Sequence, residues 1–565
     1  MSPDATGAQE RITLGRRIVA LILGQPATPR TAQRVRRPGP RGWRGPGGGE
    51  SVLVEAAPEW RGTTVQVCGL WPFAVGSGTP VVGVPLGRHL ESGATVCGDP
   101  ISWFQRARLI RNPSMFLLGL PGLGKSTLLR RMLIGLSGFG TIPLVLGDIR
   151  PDYVDLIRKL GGDVISLGGS RGYLNPLDNS EVLDAAKRLE AEEADATTAG
   201  DELRAKKVAK IRRELLADGQ ARRLALVSAL ITIQREGRVT SREDTILAAA
   251  LEVLDTNHIG IPTLGDLLKV IQTAPQAVRD VAVDRDDLTR YRNITEELEA
   301  SLIGLVRGGR LGQTFSQQTS EVMRRDRPVV FDLSGIQDSQ PQLRAAALMA
   351  CWSVGFGTVN IAQALAEAGL ESQRHYIIAM DEISQALRAG PGMVERFDQL
   401  TRLNRRYGVG QIMCTHTMKD LYALATEEDR EKARGLIERS GMVVCGGLPA
   451  AEMPLLTQVI PFSRAEQSLL AKWQEPPSWD PETGTETAPP GLGNFLIKVG
   501  GRPGIPFQVK LTETEIHGDV HETNKLWLKQ SRITTVVDLE QAAGELADIA
   551  APAVVDEGVV DGWAG

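Results

Sequence analysis

The chain has 565 residues, more than one hydrophobic core usually serves, so two or three domains are expected. With 42% apolar and 23% charged residues the composition is globular, and a net charge of −4 excludes a molecule drawn to nucleic acid by its overall charge. The scattered cysteines (Cys68, Cys97, Cys351, Cys414, Cys445) have neither metal-ligand nor disulfide spacing, which excludes a disulfide scaffold and suits a reducing compartment.

In chain order, residues 1–50 read as a disordered basic arm in which Arg30, Arg34, Arg36, Arg37, Arg41 and Arg44 sit among Pro and Gly. Such an arm either is simply solvated or touches anionic lipid or nucleic acid. The apolar stretch IVALILG (18–24) is too short for a leader, and none is expected. Residues 51–110 carry short strand-like pieces rich in Gly and Pro and read as a small β-rich region.

From residue 111 the pattern changes. Short apolar runs closed by Gly or Asp recur with helical stretches between them: MFLLGL (115–120), IPLVLGD (142–148), DVISLG (163–168), RPVVFDLSG (327–335), HYIIAMDE (375–382), QIMCTHT (411–417) and GMVVCGG (441–447). Such runs predict an α/β fold with a mostly parallel sheet covered on both faces. NFLIKV and PFQVKL, flanking GGRPGI, predict a closing hairpin. The core is expected over 111–180 and 327–515. Between these parts, 181–326 is charged and helical, with apolar residues at helical spacing from Leu224 onward, and reads as an all-helical insertion. The uncharged run 345–366 is long enough to span a bilayer, but its polar residues and its place between two core strands predict a buried crossover helix. Residues 516–565 read as an acidic, largely disordered tail, with seven acids and no base after Arg532.

The residues Gly119, Leu120, Pro121, Gly122, Leu123, Gly124, Lys125, Ser126 and Thr127 carry the phosphate-loop pattern G-x-x-x-x-G-K-[ST], between an apolar strand and an apolar-periodic helix. Its glycines let backbone N–H groups curl around phosphate oxygens. Lys125 reaches the β- and γ-phosphates of ATP, the Ser126 hydroxyl ligates Mg²⁺, and the following helix points its positive end at the same phosphates.

HYIIAMDE delivers a second acidic element. The buried strand ends at Asp381, which is placed to hold Mg²⁺ through water. Glu382 beside it is placed to orient and deprotonate the attacking water, so the pair argues for hydrolysis rather than transfer; the alternative is a solvent-facing glutamate. On the next strand Thr415 and His416 are placed to sense the γ-phosphate, His416 being either sensor or structural. Arg402, Arg405 and Arg406 lie on a helix from which one, Arg405 among them, can act as an arginine finger in a neighbouring subunit; solvation is the alternative.

The order of GLPGLGKST, LVLGDIRPDYVDLIRKLGGDVISLGGSRGYLNPLD, RPVVFDLSGI, IIAMDEIS, RRYGVGQIMCTHT and IERSGMVVCGG resembles the C-terminal ATPase domain of conjugation and type IV secretion ATPases, the TraC-like branch of the HerA–FtsK superfamily of P-loop ATPases. Asp148 with Tyr153, the Asn175-Pro176 phrase and Asp332 at a strand end belong to that resemblance, which covers about 80–515. It implies a RecA-like motor, cytoplasmic and peripheral to the inner face of the cell membrane, forming hexamers or other oligomers beneath secretion-channel proteins. Where that family usually has Gln in the sensor strand, this chain has His416. Two rival expectations remain: a DNA translocase or coupling protein of the same superfamily, and a scaffold gated by ATP without hydrolysis.

Overall fold

Runs of Val, Ile, Leu and Met bounded by Gly and Asp form strands buried on both faces, and these build one 11-stranded sheet in the computed structural model. The structure describes residues 81–521 except 170, 308–310, 312, 389–392, 402–407, 425, 481–484 and 519. The strands are β1 (Pro85–His89), β2 (Thr95–Cys97), β3 (Ser114–Leu118), β4 (Thr141–Asp148), β5 (Asp163–Ser166), β6 (Val329–Asp332), β7 (His375–Met380), β8 (Val409–Thr415) and β9 (Met442–Cys445). A two-stranded ribbon, β10 (Trp479–Asp480) and β11 (Thr485–Glu486), precedes β12 (Asn494–Lys498) and β13 (Ile505–Val509).

The sheet order is β2-β1-β13-β12-β9-β3-β8-β7-β4-β6-β5. From β9 to β5 every neighbouring pair is parallel, whereas β12, β13, β1 and β2 extend the sheet antiparallel. The expected closing hairpin is therefore β12–β13, with Phe495 level with Phe507. Residues 51–110 were set apart as a small β-rich region; their described part, from 81 on, hydrogen-bonds to β13 and continues the central sheet. Residues 1–80, with the basic arm, lie outside the described residues.

Two apolar layers flank the sheet. Met115 and Leu117 of β3 join Leu128, Leu129, Met132 and Leu133 of the helix Lys125–Gly138 on one side, while Phe116 and Leu118 join the other layer with Leu348, Trp352 and Phe356. The period-2 alternation of a strand thus welds one helix layer to each face.

The apolar run 345–366 lies within the helix Pro341–Glu367, whose most apolar window is 83% buried inside the protein. A Cβ at Gly355 would sit 2.4 Å from Leu146 Cδ1, so the glycine lets this helix close on β4. The expectation of a buried crossover helix agrees with its position between β6 and β7.

Among the described residues of the insertion there are six helices: Ser180–Thr198, Glu202–Arg235, Ser241–Asn257, Leu264–Thr273, Gln276–Ala282 and Leu288–Val306. Their apolar stripe begins earlier than the sequence reading placed it. Val208, Ile211 and Leu215, at i, i+3 and i+7, pack with Ala185 and Leu189 against Ile361 and Leu365 of the crossover helix. Arg204–Glu192 (2.6 Å) and Arg212–Glu193 (3.1 Å) link the first two insertion helices across their charged faces.

Glu371 ties insertion to core. Arg325 (2.8 Å), Arg188 (2.8 Å) and Arg374 (2.6 Å) converge on it, and Arg325 also pairs with Glu181 at 2.9 Å. The Arg325 hydrogen bond, against the opposing effect of burial, and then those from Arg188 and Arg374 hold its carboxyl down at about 2. Because the folded-state value is depressed, the stabilisation is complete above the ordinary glutamate range and is lost as pH falls through it toward 2. Glu371→Gln is expected to destabilise by roughly 1–2 kcal/mol at neutral pH after allowance for solvent screening. Urea midpoints should show the gap to wild type closing as pH is lowered.

At the C-terminal boundary, the helix Glu513–His517 is capped by Thr512. Glu515 accepts from Arg131 of the phosphate-loop helix and lies 3.4 Å from His521 Nε2. Ordered chain thus continues past 516, where the tail was expected to begin, and residues 522–565 lie outside the described residues.

Candidate functional site

The phosphate loop turns the chain from β3 into the helix Lys125–Gly138. Three backbone hydrogen bonds anchor it: Gly119 N–H to the His416 carbonyl (3.0 Å), Leu120 N–H to the Gly447 carbonyl (3.1 Å), and Gly493 N–H to the Leu123 carbonyl (3.1 Å). The cradle is thereby fixed to the ends of β8 and β9 and to the turn before β12. Gly122 and Gly124 have φ of +79° and +93°, which any side chain would strain. The N–H groups of Lys125, Ser126 and Thr127 begin the helix, where no preceding turn supplies carbonyls; that end attracts anions.

Strand order places the remaining groups. β8 lies between β3 and β7, so the strand ending at Thr415 separates the loop from the strand that delivers Asp381. Leu118 is level with Thr415, and Met380 with Met413. Lys125, Asp381, Glu382 and His416, predicted from separate segments, therefore converge at one carboxyl edge of the sheet, as open parallel sheets place their ligands.

His416 joins two of these residues. Lys125 Nζ lies 2.7 Å from His416 Nδ1, and His416 Nε2 lies 2.7 Å from Glu382 Oε1. An ammonium only donates, so Nδ1 accepts and the ring proton sits on Nε2, donating to the glutamate. Lys125 also donates to the Gly119 carbonyl at 2.5 Å. Burial raises the Glu382 carboxyl, but the His416 hydrogen bond, with the charges of Lys125 and Arg150, outweighs it and holds it below the ordinary glutamate range. Glu382 is thus kept ionised. Its backbone adopts φ +52°, a left-handed conformation costing about 1–3 kcal/mol in a residue other than glycine. The Glu382 N–H bond to Asp381 Oδ1 (3.0 Å) and the histidine contact hold it there. Thr415, expected beside His416 as a sensor, is 1% exposed, and its hydroxyl has no partner among the described residues.

His416→Ala is expected to slow ATP turnover about a hundredfold by releasing Glu382 from its aim. His416→Gln, which still offers one donor and one acceptor, should restore most of that rate. Steady-state phosphate release from the three proteins checks this, and equal rates for Ala and Gln would contradict the bridging role.

The turn after β4 supplies residues for which the sequence reading gave no role. The buried Asp148 carboxylate accepts from the N–H groups of Asp152 (3.1 Å) and Tyr153 (2.7 Å). Tyr153, 1% exposed, donates its hydroxyl to Asp381 Oδ2 at 2.8 Å. Asp152 lies 3.5 Å from Arg130. Arg130, itself 1% exposed, sits 5.5 Å over the Tyr153 ring. The signal was the Asp148–Tyr153 spacing, but only the adjacency of β4 and β7 shows what it aims at.

Burial and the neighbouring Glu382 charge push the Asp381 carboxyl above its ordinary range. Burial also raises Asp152. A serine hydroxyl and carboxylates with raised values form a hard-oxygen set suited to a divalent cation such as Mg²⁺. Among the described residues no group of three or more His, Cys, Asp and Glu is placed to hold a metal ion by itself.

Asn175 of the Asn-Pro phrase is buried and structural. Its Nδ2 donates to the Pro262 carbonyl (2.8 Å) and Gln318 Oε1 (3.1 Å), and its Oδ1 accepts from Leu177 N–H (3.0 Å). It stitches the segments on which the helical insertion leaves and rejoins the core. Arg402, Arg405 and Arg406 lie outside the described residues.

No protein-family model matches the chain, and no curated protein sequence matches it. Among solved structures it is similar to VirB4 of Thermoanaerobacter pseudethanolicus, with TM-score 0.52 and 17% identity over 78% of this chain and 100% of that one. A bacterial conjugative coupling protein, TrwB, aligns in unbound form with TM-score 0.42 and 10% identity over 71% of this chain and 85% of that one. Its complex with ADP and Mg²⁺ aligns with TM-score 0.40 and 11% identity over the same shares. The likeness to VirB4 and the strand order together show a RecA-like P-loop fold.

Proposed function

We propose that the chain is an ATP-hydrolysing, oligomeric motor of a conjugative or type IV secretion apparatus, powering channel assembly or substrate transfer. The observation that carries the reading is the Lys125–His416–Glu382 bridge at the mouth of the phosphate loop. It sets a phosphate-binding cation, a polar sensor and an ionised carboxylate at one sheet edge. The shared fold with VirB4 supports the apparatus.

In this reading ATP lays its phosphates along Gly119–Thr127, under the first turn of the loop helix. Lys125 then exchanges His416 and the Gly119 carbonyl for phosphate oxygens. His416 keeps its Nε2 hydrogen bond to Glu382. Glu382 takes a proton from the attacking water as its oxygen bonds to the γ-phosphorus and the bond from that phosphorus to the β–γ bridging oxygen breaks, leaving ADP and phosphate. Mg²⁺, held by Ser126 and Asp381, would neutralise charge on the phosphate oxygens. Arg405 is proposed to act from a neighbouring subunit, and the assembled form to be a hexamer on the inner face of the membrane, docked on channel proteins.

Turnover per subunit, measured across protein concentrations with and without DNA, tests the reading. A rate that climbs with concentration and ignores DNA supports a motor with shared sites. Strong stimulation by DNA points instead to a translocase, and a rate independent of concentration contradicts sites completed in trans.

A further inference from the structure

We infer that Asp152 and Tyr153 are a positioning pair that ties Asp381, proposed to hold Mg²⁺, to the loop helix that begins with Lys125 and Ser126; the inference rests on the nucleotide-site reading above. Ser126 opens the helix that follows β3, and Asp381 follows β7, with β8 between those strands. The turn after β4 spans that gap with two consecutive residues.

Each contact has a definite geometry. The Tyr153 hydroxyl holds Asp381 Oδ2 at 2.8 Å while the Glu382 N–H holds Oδ1 at 3.0 Å, so both oxygens of the carboxylate are pinned. A carboxylate oxygen has lone pairs to spare, and each keeps one for water or a cation. On the other arm, Asp152 pairs with Arg130 of the loop helix. The turn is itself held: Asp148 accepts the N–H groups of both residues. Arg130, on the loop helix one turn beyond Ser126, meets Asp152 at 3.5 Å and covers the Tyr153 ring at 5.5 Å. A shift of the loop helix therefore travels through Arg130 and the turn to Asp381. Outer partners of this kind orient metal-holding groups, and their loss typically costs about 10–100-fold in metal affinity or activity.

Tyr153→Phe isolates the effect, because it keeps the buried ring beneath Arg130 and deletes only the hydroxyl. The experiment titrates the full-length wild type and variant with a fluorescent ATP analogue, first without metal and then at graded Mg²⁺. The expected result is unchanged metal-free affinity and an apparent Mg²⁺ affinity weakened about tenfold. Asp152→Asn should weaken it in the same way by loosening the Arg130 arm. Introduced into an Asp381→Ala background, Tyr153→Phe should add nothing, since its acceptor is already gone. Wild-type Mg²⁺ dependence in Tyr153→Phe, with or without a change in Tm, overturns the inference, as does an undiminished tenfold effect in the Asp381→Ala background. Wild-type protein that binds no analogue overturns the nucleotide-site reading instead, and the two failures are distinct.

Discussion

Glu382→Gln is expected to lower ATP turnover by about a hundredfold to ten-thousandfold while leaving ATP affinity near that of the wild type. The amide is isosteric and still accepts from His416 Nε2, so the 2.7 Å contact can persist. It has no proton affinity to take up the proton of the attacking water. The left-handed backbone at Glu382 and the histidine bridge hold its carboxylate in one orientation, so no other side chain can take its place by a small rotation. Parallel measurements of phosphate release and of equilibrium binding of an ATP analogue separate the two effects. Equal turnover by variant and wild type would remove Glu382 from the chemistry.

Lys125→Met is expected to weaken ATP binding at least about thirtyfold, the range for removing one partner of a buried, hydrogen-bonded charge pair. Burial lowers the Lys125 pKa, and the charge of Asp381 is the leading effect raising it. The ammonium is thus partly stripped of water in advance, and phosphate oxygens repay more of that desolvation than the His416 nitrogen it now touches. Methionine keeps most of the apolar stem and removes the ammonium, its charge and its hydrogen-bond donors together. Lys125→Arg should not rescue binding, because a planar fork does not fit where a compact ammonium sits between the Gly119 carbonyl and His416. Fluorescence titration with an ATP analogue checks both, and wild-type affinity in Lys125→Met would contradict the assigned role.

Much of this site was legible because its signals are local. A strand, a glycine-rich turn and a helix occupy consecutive residues from Ser114 to Gly138, and HYIIAMDE carries its own strand and its own acids. The parallel core strands were legible for the same reason: residues buried on both sides form unbroken apolar runs. Relations between segments were not legible. Tyr153 and Asp381 are far apart in sequence and meet only because β4 pairs with β7, with Leu144 level with Ile378. The double hydrogen bond of His416 was likewise invisible, since one residue type suits both a sensor and a bridge. In the insertion, Val208, Ile211 and Leu215 were hidden by the lysines and arginines around them, which occupy the other faces of the same helix. Asn175 was conspicuous in sequence, yet its bonds serve the junction with the insertion.

A single-turnover experiment tests most directly the claim that this site hydrolyses ATP. Protein in excess over Mg-ATP is quenched at intervals, and the bound nucleotide is identified for wild type and Glu382→Gln. The account predicts conversion of bound ATP to ADP and phosphate by the wild type, with ATP held intact by the variant. Intact ATP on both proteins would contradict it and leave a scaffold gated by ATP without hydrolysis.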